Sequence, residues 1–107
     1  MSCVVRVEVF YSARCPHCRA ARSVVKRVMK RFRKRLEKQL GRRFEKRLGW
    51  SLEVEEVNTS IRSGAVRAEK YGIRAVPTIV VNGKKKIVGV PREKELRELI
   101  EKEMKID

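Results

Sequence analysis

The spacing of apolar residues changes several times along this chain, and each change marks an element. From Cys3 to Phe10, Val5, Val7 and Val9 alternate with Arg6 and Glu8. This is the two-residue period of a strand with one more polar face. From Ala20 the period lengthens, and Ala21, Val24, Val25, Val28, Met29, Phe32 and Leu36 fall at helical spacing. Pro16 suits the first position of this helix, where its missing N–H would have had no partner. The stripe continues as Leu40, Phe44 and Leu48, always four apart. Four residues turn a helix by about 400°, so a four-residue repeat drifts roughly 40° per step. One straight helix therefore cannot keep Val24 and Leu48 on the same face. The pattern predicts a long helix to about Leu40, a stop at Gly41, and a short second helix to about Leu48 that ends at Gly49-Trp50-Ser51.

Leu52 to Val57 reads as a second strand. Asn58-Thr59-Ser60 offers N-cap side chains for a helix that runs to about Tyr71, with Gly72 as its stop. Thr78 to Val81 is a third strand, Asn82-Gly83 a two-residue hairpin turn, and Lys84 to Val88 a fourth strand. Pro91 opens a last helix with Leu96, Leu99, Ile100 and Met104 on one face. A βαβ unit followed by an antiparallel hairpin and a packed helix is an α/β fold with a mixed four-stranded sheet. A chain of 107 residues buries one modest core, which predicts a single domain over 1–107.

Composition sharpens this picture. Hydrophobic residues make up 42%, enough for a globular fold and against wholesale disorder. No apolar run is long enough to span a membrane. Arg6 and Glu8 interrupt any secretory apolar core near the start, which predicts an uncleaved cytoplasmic protein. Lys and Arg number 28 against 13 Asp and Glu, a net charge of +15, so attraction to polyanions is expected. Asn58, Asn82 and Gln39 are the only side-chain amides, and this charge-rich, amide-poor balance resembles thermophile composition.

The candidate chemistry lies in the cysteines. There are three, Cys3, Cys15 and Cys18, and an odd count excludes a complete internal disulfide framework. Cys15-Pro16-His17-Cys18 sits where a strand and loop meet a helix N-terminus. Such an end offers unpaired N–H groups and about half a positive charge. Both favour thiolate and bring thiol pKa values from about 8.5 down to roughly 3.5–7.5. Cys15 is then the exposed N-cap thiolate, tuned by Pro16, His17, Arg14 and Arg19. Cys18 lies one turn on, within disulfide reach. Redox exchange is the expected chemistry, in which Cys15 attacks a disulfide and Cys18 resolves the mixed disulfide. Half of a zinc site is the alternative, but zinc wants four ligands. Only Cys3 and His17 remain, and His17 lies between the two cysteines. Cys3 reads as a small apolar residue at a strand start.

Cys-Pro-His-Cys after a strand, then Tyr71-Gly72-Ile73-Arg74-Ala75-Val76-Pro77-Thr78, then a hairpin ending at Gly89, resembles the thioredoxin superfamily. The likeness is greatest to the small glutaredoxin-like thioredoxins of archaea. The resemblance implies a thioredoxin fold and a protein disulfide oxidoreductase that needs no cofactor or metal beyond the Cys15–Cys18 pair. Cys15 would be the nucleophile, Cys18 the resolving thiol and Pro77 a cis-proline facing them, with Val76 pairing its backbone with substrate. Protein disulfides would be the substrates, recycled by a thioredoxin-reductase-like partner. The chain departs from the family at Val9, where thioredoxins carry a buried aspartate. It also departs at Val88-Gly89-Val90-Pro91, where glutathione users carry a Gly-Gly pair and an acidic residue.

Residues 33–49 look like a basic helical insertion relative to the compact members. The window 26–47 holds 12 Lys and Arg against Glu37 and Glu45. Leu36, Leu40, Phe44 and Leu48 then need cover, from a helical hairpin or from a second copy of the chain, so both monomer and dimer are open. The rival function is a binding module in which this basic helix docks nucleic acid or an acidic protein. A third reading is a metal chaperone using Cys15 and Cys18.

Overall fold

A computed structural model describes residues 3–40 and 50–103. Strand β1 (Cys3–Tyr11) leads into helix α1 (Pro16–Leu40). Then follow β2 (Trp50–Asn58), α2 (Arg62–Lys70), β3 (Thr78–Val81), β4 (Lys85–Val88) and α3 (Glu93–Glu103). The sheet order is β2-β1-β3-β4. β1 pairs parallel with β2, Val7 opposite Val54, and antiparallel with β3, Val9 opposite Ile79. β4 closes the hairpin on β3. This is the expected α/β fold with a mixed four-stranded sheet, and the strands β1 and β2 are longer than the apolar runs alone indicate. The expected second helix over 41–49, with Gly41, Phe44 and Leu48, lies outside the described residues, as do the side chains of Cys3, Leu36 and Leu40.

The first helix, 25 residues long, forms around an apolar stripe that recurs on one side from Ala21 to Phe32. It lays Ala21, Val25, Val28, Met29 and Phe32 on the sheet face made by Val5, Val7, Val9, Leu52, Ile79 and Val81. Leu96 and Ile100 of α3 complete this core. The outer side of α1 is basic, and acidic residues on its neighbours answer part of that charge. Arg27 and Arg31 pair with Glu93 at 2.8 and 3.4 Å, Arg35 with Glu101 at 3.4 Å, and Arg22 with Glu56 at 3.0 Å.

The other sheet face is smaller. Phe10, Val57 and Val80 meet Ala68 of α2, with Tyr71, Ile73 and Val76 around them. Here the sequence expectation needs correcting. Arg6 and Glu8 were to form the polar face of β1, yet only Arg6 reaches solvent, and Glu8 is 1% exposed. Glu8 is tolerated inside because it is bonded: Arg67 donates to it at 2.6 Å and the Tyr71 hydroxyl at 2.8 Å. Arg67 also grips Glu55 of β2.

A second correction concerns Asn58-Thr59-Ser60. None of them caps α2, whose N-cap is Ile61 with no side-chain bond. Thr59 donates from its N–H (2.8 Å) and its hydroxyl (3.0 Å) to the Tyr11 carbonyl. The Ser60 hydroxyl accepts from the Ala13 N–H at 3.1 Å. These residues tie the end of β2 to the loop that carries Cys15. Gly64 is what lets α2 follow so closely, since a Cβ there would lie 1.9 Å from the Asn58 carbonyl oxygen. In the hairpin, Asn82 and Gly83 both have positive φ, 53° and 68°, the geometry of a type I′ turn. β4 is an edge strand with exposed Lys85 and Lys86, which blunts the edge against pairing.

Candidate active site

The strand β1 runs out at Tyr11, and a short turn delivers Cys15 to the start of α1. The turn is closed by the Cys15 N–H donating to the Ser12 carbonyl at 3.2 Å. Pro16 is the first helical residue, so Cys15 holds the N-cap position. The first-turn bond from the Cys18 N–H to the Cys15 carbonyl measures 3.3 Å. Cys15 is half-buried and Cys18 buried, and both are free thiols. Pro16 and His17 are exposed beside them.

The two sulfurs are not equivalent. The Cys15 thiol is held below its ordinary value, first by a hydrogen bond from the Cys18 thiol, against a raising effect of burial, and further by the backbone N–H groups of Cys18 and His17. The Cys18 thiol is pushed up, first by burial and then by that same bond to Cys15. A proton leaving this pair leaves from Cys15, and Cys18 stays a thiol until later. His17 acts on Cys15 through its backbone, while its ring sits at the surface.

The segment after α2 completes the site. Gly72, at φ 68°, turns the chain out of the helix, and the Ile73 N–H returns to the Ala68 carbonyl at 2.9 Å. The Val76–Pro77 peptide is cis, and Pro77 is buried. Thr78 fixes the bend by donating its hydroxyl to the Ala75 carbonyl at 2.7 Å, and Gly89 donates its N–H to the Pro77 carbonyl at 2.8 Å. The Cys15 thiol faces this segment and donates to the Val76 carbonyl at 3.7 Å. Residues sixty-one apart in sequence are thus brought into contact. A shallow depression of about 410 Å³ lies on the Val76 side, lined by Ser12, Thr59, Ile73 and Arg74 among others. A second, of about 400 Å³, lies on the helix side against Cys15, Cys18, Arg14, Arg19 and Arg22.

Arg22 is the site residue the sequence reading passed over. It follows Cys18 by four residues, one turn down the same face of α1, and that spacing was available as a signal. Its guanidinium stacks on the Tyr11 ring at 4.6 Å and donates to Glu56 at 3.0 Å. Neither partner is local in sequence. Among the described residues no cluster of three or more Cys, His, Asp or Glu is placed to hold a metal, and no helix is long and apolar enough to cross a membrane.

Residues 5–101 match the family model described as a thioredoxin domain. The thioredoxin of Methanocaldococcus jannaschii is 35% identical over 100 residues, covering 94% of this chain and 96% of its own. A probable thioredoxin of Archaeoglobus fulgidus is 39% identical over 101 residues, covering 92% and 89%. The hosts of these relatives are thermophilic archaea, in line with the charge-rich composition. Among solved structures, a mutant thioredoxin from Halobacterium salinarum superposes with a TM-score of 0.64 at 24% identity, covering 96% of this chain and 77% of that one. Chloroplastic thioredoxin z superposes with a TM-score of 0.61 at 15% identity, covering 94% and 78%. Both have the same fold. Thioredoxins work through a redox-active cysteine pair and carry no cofactor. By its family match, its relatives and its architecture, this chain belongs to the thioredoxin family of thiol–disulfide oxidoreductases.

Proposed function

We propose that this protein exchanges electrons with protein disulfides, with Cys15 as nucleophile and Cys18 as resolving thiol. The observation that carries the reading is the asymmetry of the pair. The half-buried Cys15 is lowered by bonds to its sulfur, while the buried Cys18 is raised. Cys15, as thiolate, attacks one sulfur of a substrate disulfide. A Cys15–substrate S–S bond forms, the substrate S–S bond breaks, and the other substrate sulfur leaves as a thiolate that takes up a proton. Cys18 then loses its proton to water and attacks the Cys15 sulfur. The intramolecular disulfide forms, and the substrate leaves as a dithiol, reduced by two electrons. A reductase, or in the opposite direction an oxidant, restores the starting state.

The Val76 carbonyl and the cis Val76–Pro77 bend stand directly opposite Cys15. An extended substrate strand laid along the adjoining depression would meet the Val76 backbone, which the cis bond to buried Pro77 turns toward Cys15. Pro16 starts the helix that presents Cys15, and the His17 backbone adds to the effects that hold the Cys15 thiol low, the Cys18 thiol first among them.

The test is the pair of serine variants. Cys15→Ser abolishes dithiothreitol-dependent reduction of insulin. Cys18→Ser performs the first half-reaction only and accumulates a covalent adduct with substrate, seen as a mass increase that dithiothreitol reverses. Turnover by Cys15→Ser near the parent rate would overturn the assignment.

A further inference from the structure

Resolution requires the buried Cys18 to become a thiolate, and burial opposes this. Among the described residues the core beneath it holds no carboxylate on this face of the sheet. β1 directs Val9, 1% exposed, into the α1 face of the sheet. The buried carboxylate of this strand, Glu8, points to the opposite face, where Arg67 and Tyr71 hold it.

What Cys18 does face is a cation. Arg22 lies one helical turn on and lines the same depression as Cys15 and Cys18. Two contacts fix its guanidinium, the Tyr11 ring of β1 at 4.6 Å and Glu56 of β2 at 3.0 Å. Glu56 is shared with Lys26 at 3.6 Å. The Nε–H of Arg22 is buried without an acceptor among the described residues, so one donor of the fork remains uncommitted. A guanidinium held on two sides keeps its place beside the pair although the side chain is 35% exposed. It therefore presents a standing positive charge instead of one that must be recruited.

We propose that Arg22 is the positioning residue of the resolving step: clamped by Tyr11 and Glu56, it supplies the fixed positive charge that stabilises the Cys18 sulfur as it attacks the mixed disulfide. This rests on the dithiol reading above. Besides Arg22, the charged side chains that line the depression around the pair are Arg14 and Arg19. Cys18 faces Cys15 and the Ser12 backbone from the active-site turn and Arg22 from its own helix. Arg22 faces Tyr11 and Glu56 from the two strands. Burial is the first influence on Cys18 and raises it, and Arg22 is a smaller one that opposes it; the guanidinium itself stays charged at any working pH. No new atoms enter the reaction: the Cys18 proton passes to water, and Arg22 stays protonated throughout.

The two half-reactions separate the proposal from a merely structural role. Full-length protein carrying Cys3→Ser is reduced and mixed with one equivalent of 5,5′-dithiobis(2-nitrobenzoate). Attack by Cys15 releases the first thionitrobenzoate, and attack by Cys18 on the resulting mixed disulfide releases the second. In Arg22→Gln the second release shifts to higher pH and slows several-fold at neutral pH. The first release keeps its pH profile. Arg22→Lys, which keeps the charge, recovers most of the second-phase rate. An unchanged second phase in Arg22→Gln would overturn the proposal. So would a parallel shift of both phases, which would mean that Arg22 only shapes the turn. If the parent itself releases no second equivalent, the dithiol reading fails first and independently of Arg22. Near-ultraviolet circular dichroism of Arg22→Gln and Arg22→Lys checks that each is folded.

Discussion

The two faces of the sheet are built by different means. Under α1 and α3, Val5, Val7 and Val9 of β1 and the side chains Ile79 and Val81 meet Val25, Val28, Leu96 and Ile100, all apolar and all buried. Under α2 the helix is nine residues long and buries only Gly64 and Ala68. So short a helix has little apolar area to offer. A network takes over part of the work there: Arg67 bridges α2 to both β1 and β2, and Tyr71 ties the exit of the helix to Glu8. The large face supplies stability by area. The small face fixes the direction of the segment that leaves α2 for Val76 and Pro77, and a directional network suits that task better than a greasy contact. The two halves of the site are therefore mounted differently: Cys15 and Cys18 ride on α1 over the apolar face, and Val76-Pro77 is held by the less apolar, more specified side of the fold.

The sharpest way to break this contrast is to remove area from the large face. Ile79→Ala deletes a side chain with no exposure at the centre of the sheet. It is expected to cost about 4 kcal/mol, from the lost transfer energy and the cavity left behind, measured by denaturant unfolding. Cys15 alkylation kinetics in the folded fraction stay as in the parent. A cost well under that of the next variant would mean the apolar face does not dominate stability.

Glu8→Gln attacks the other face. It keeps the volume and one acceptor for Tyr71 but removes the charge that Arg67 grips at 2.6 Å. Arg67 is a third exposed and retains Glu55, so it is not stranded. The expected loss is about 2 kcal/mol, the worth of a hydrogen bond to a charged group. Its signature is functional as well. The 71–77 segment loosens, and KM for a disulfide substrate rises more than kcat falls. If stability drops while KM holds, the network is only a stabiliser.

The sequence made the large face readable and the small face partly opaque, for one physical reason. Val5, Val7 and Val9, and the stripe from Ala21 to Phe32, announce their burial through local period. Glu8 has the same period as exposed Arg6, and nothing local tells them apart. Its burial is set by Arg67, fifty-nine residues away. The site divides the same way. Cys15 and Cys18 are one turn apart in sequence and legible, and Val76-Pro77 was found through its family pattern. The clamp on Arg22 needs Tyr11 and Glu56, which come together only when β1 and β2 pair. Asn58-Thr59-Ser60 has the composition of a helix cap, but Thr59 and Ser60 have better partners in the active-site turn once the parallel strands align.

The finest probe of the contrast is Tyr71→Phe, which removes one hydroxyl from the small face and nothing from the large one. Its ring stays against Phe10, with centroids 5.7 Å apart at 81°, so packing is preserved and only the bond to Glu8 is lost. The expected cost is about 1 kcal/mol, the net worth of one hydrogen bond. The Tyr71 hydroxyl is raised above its ordinary value, first by that bond to Glu8 and then by burial. A group whose folded pKa is raised contributes stability that is whole below the unfolded value, about 10, and is lost as pH rises through the folded one. The parent therefore loses this increment on the alkaline side, while Tyr71→Phe lacks it at every pH. Unfolding free energies of the two proteins should differ at pH 7 to 9 and converge at higher pH. A constant difference would show that the hydroxyl does not sense Glu8, and that the small face is held by Arg67 alone.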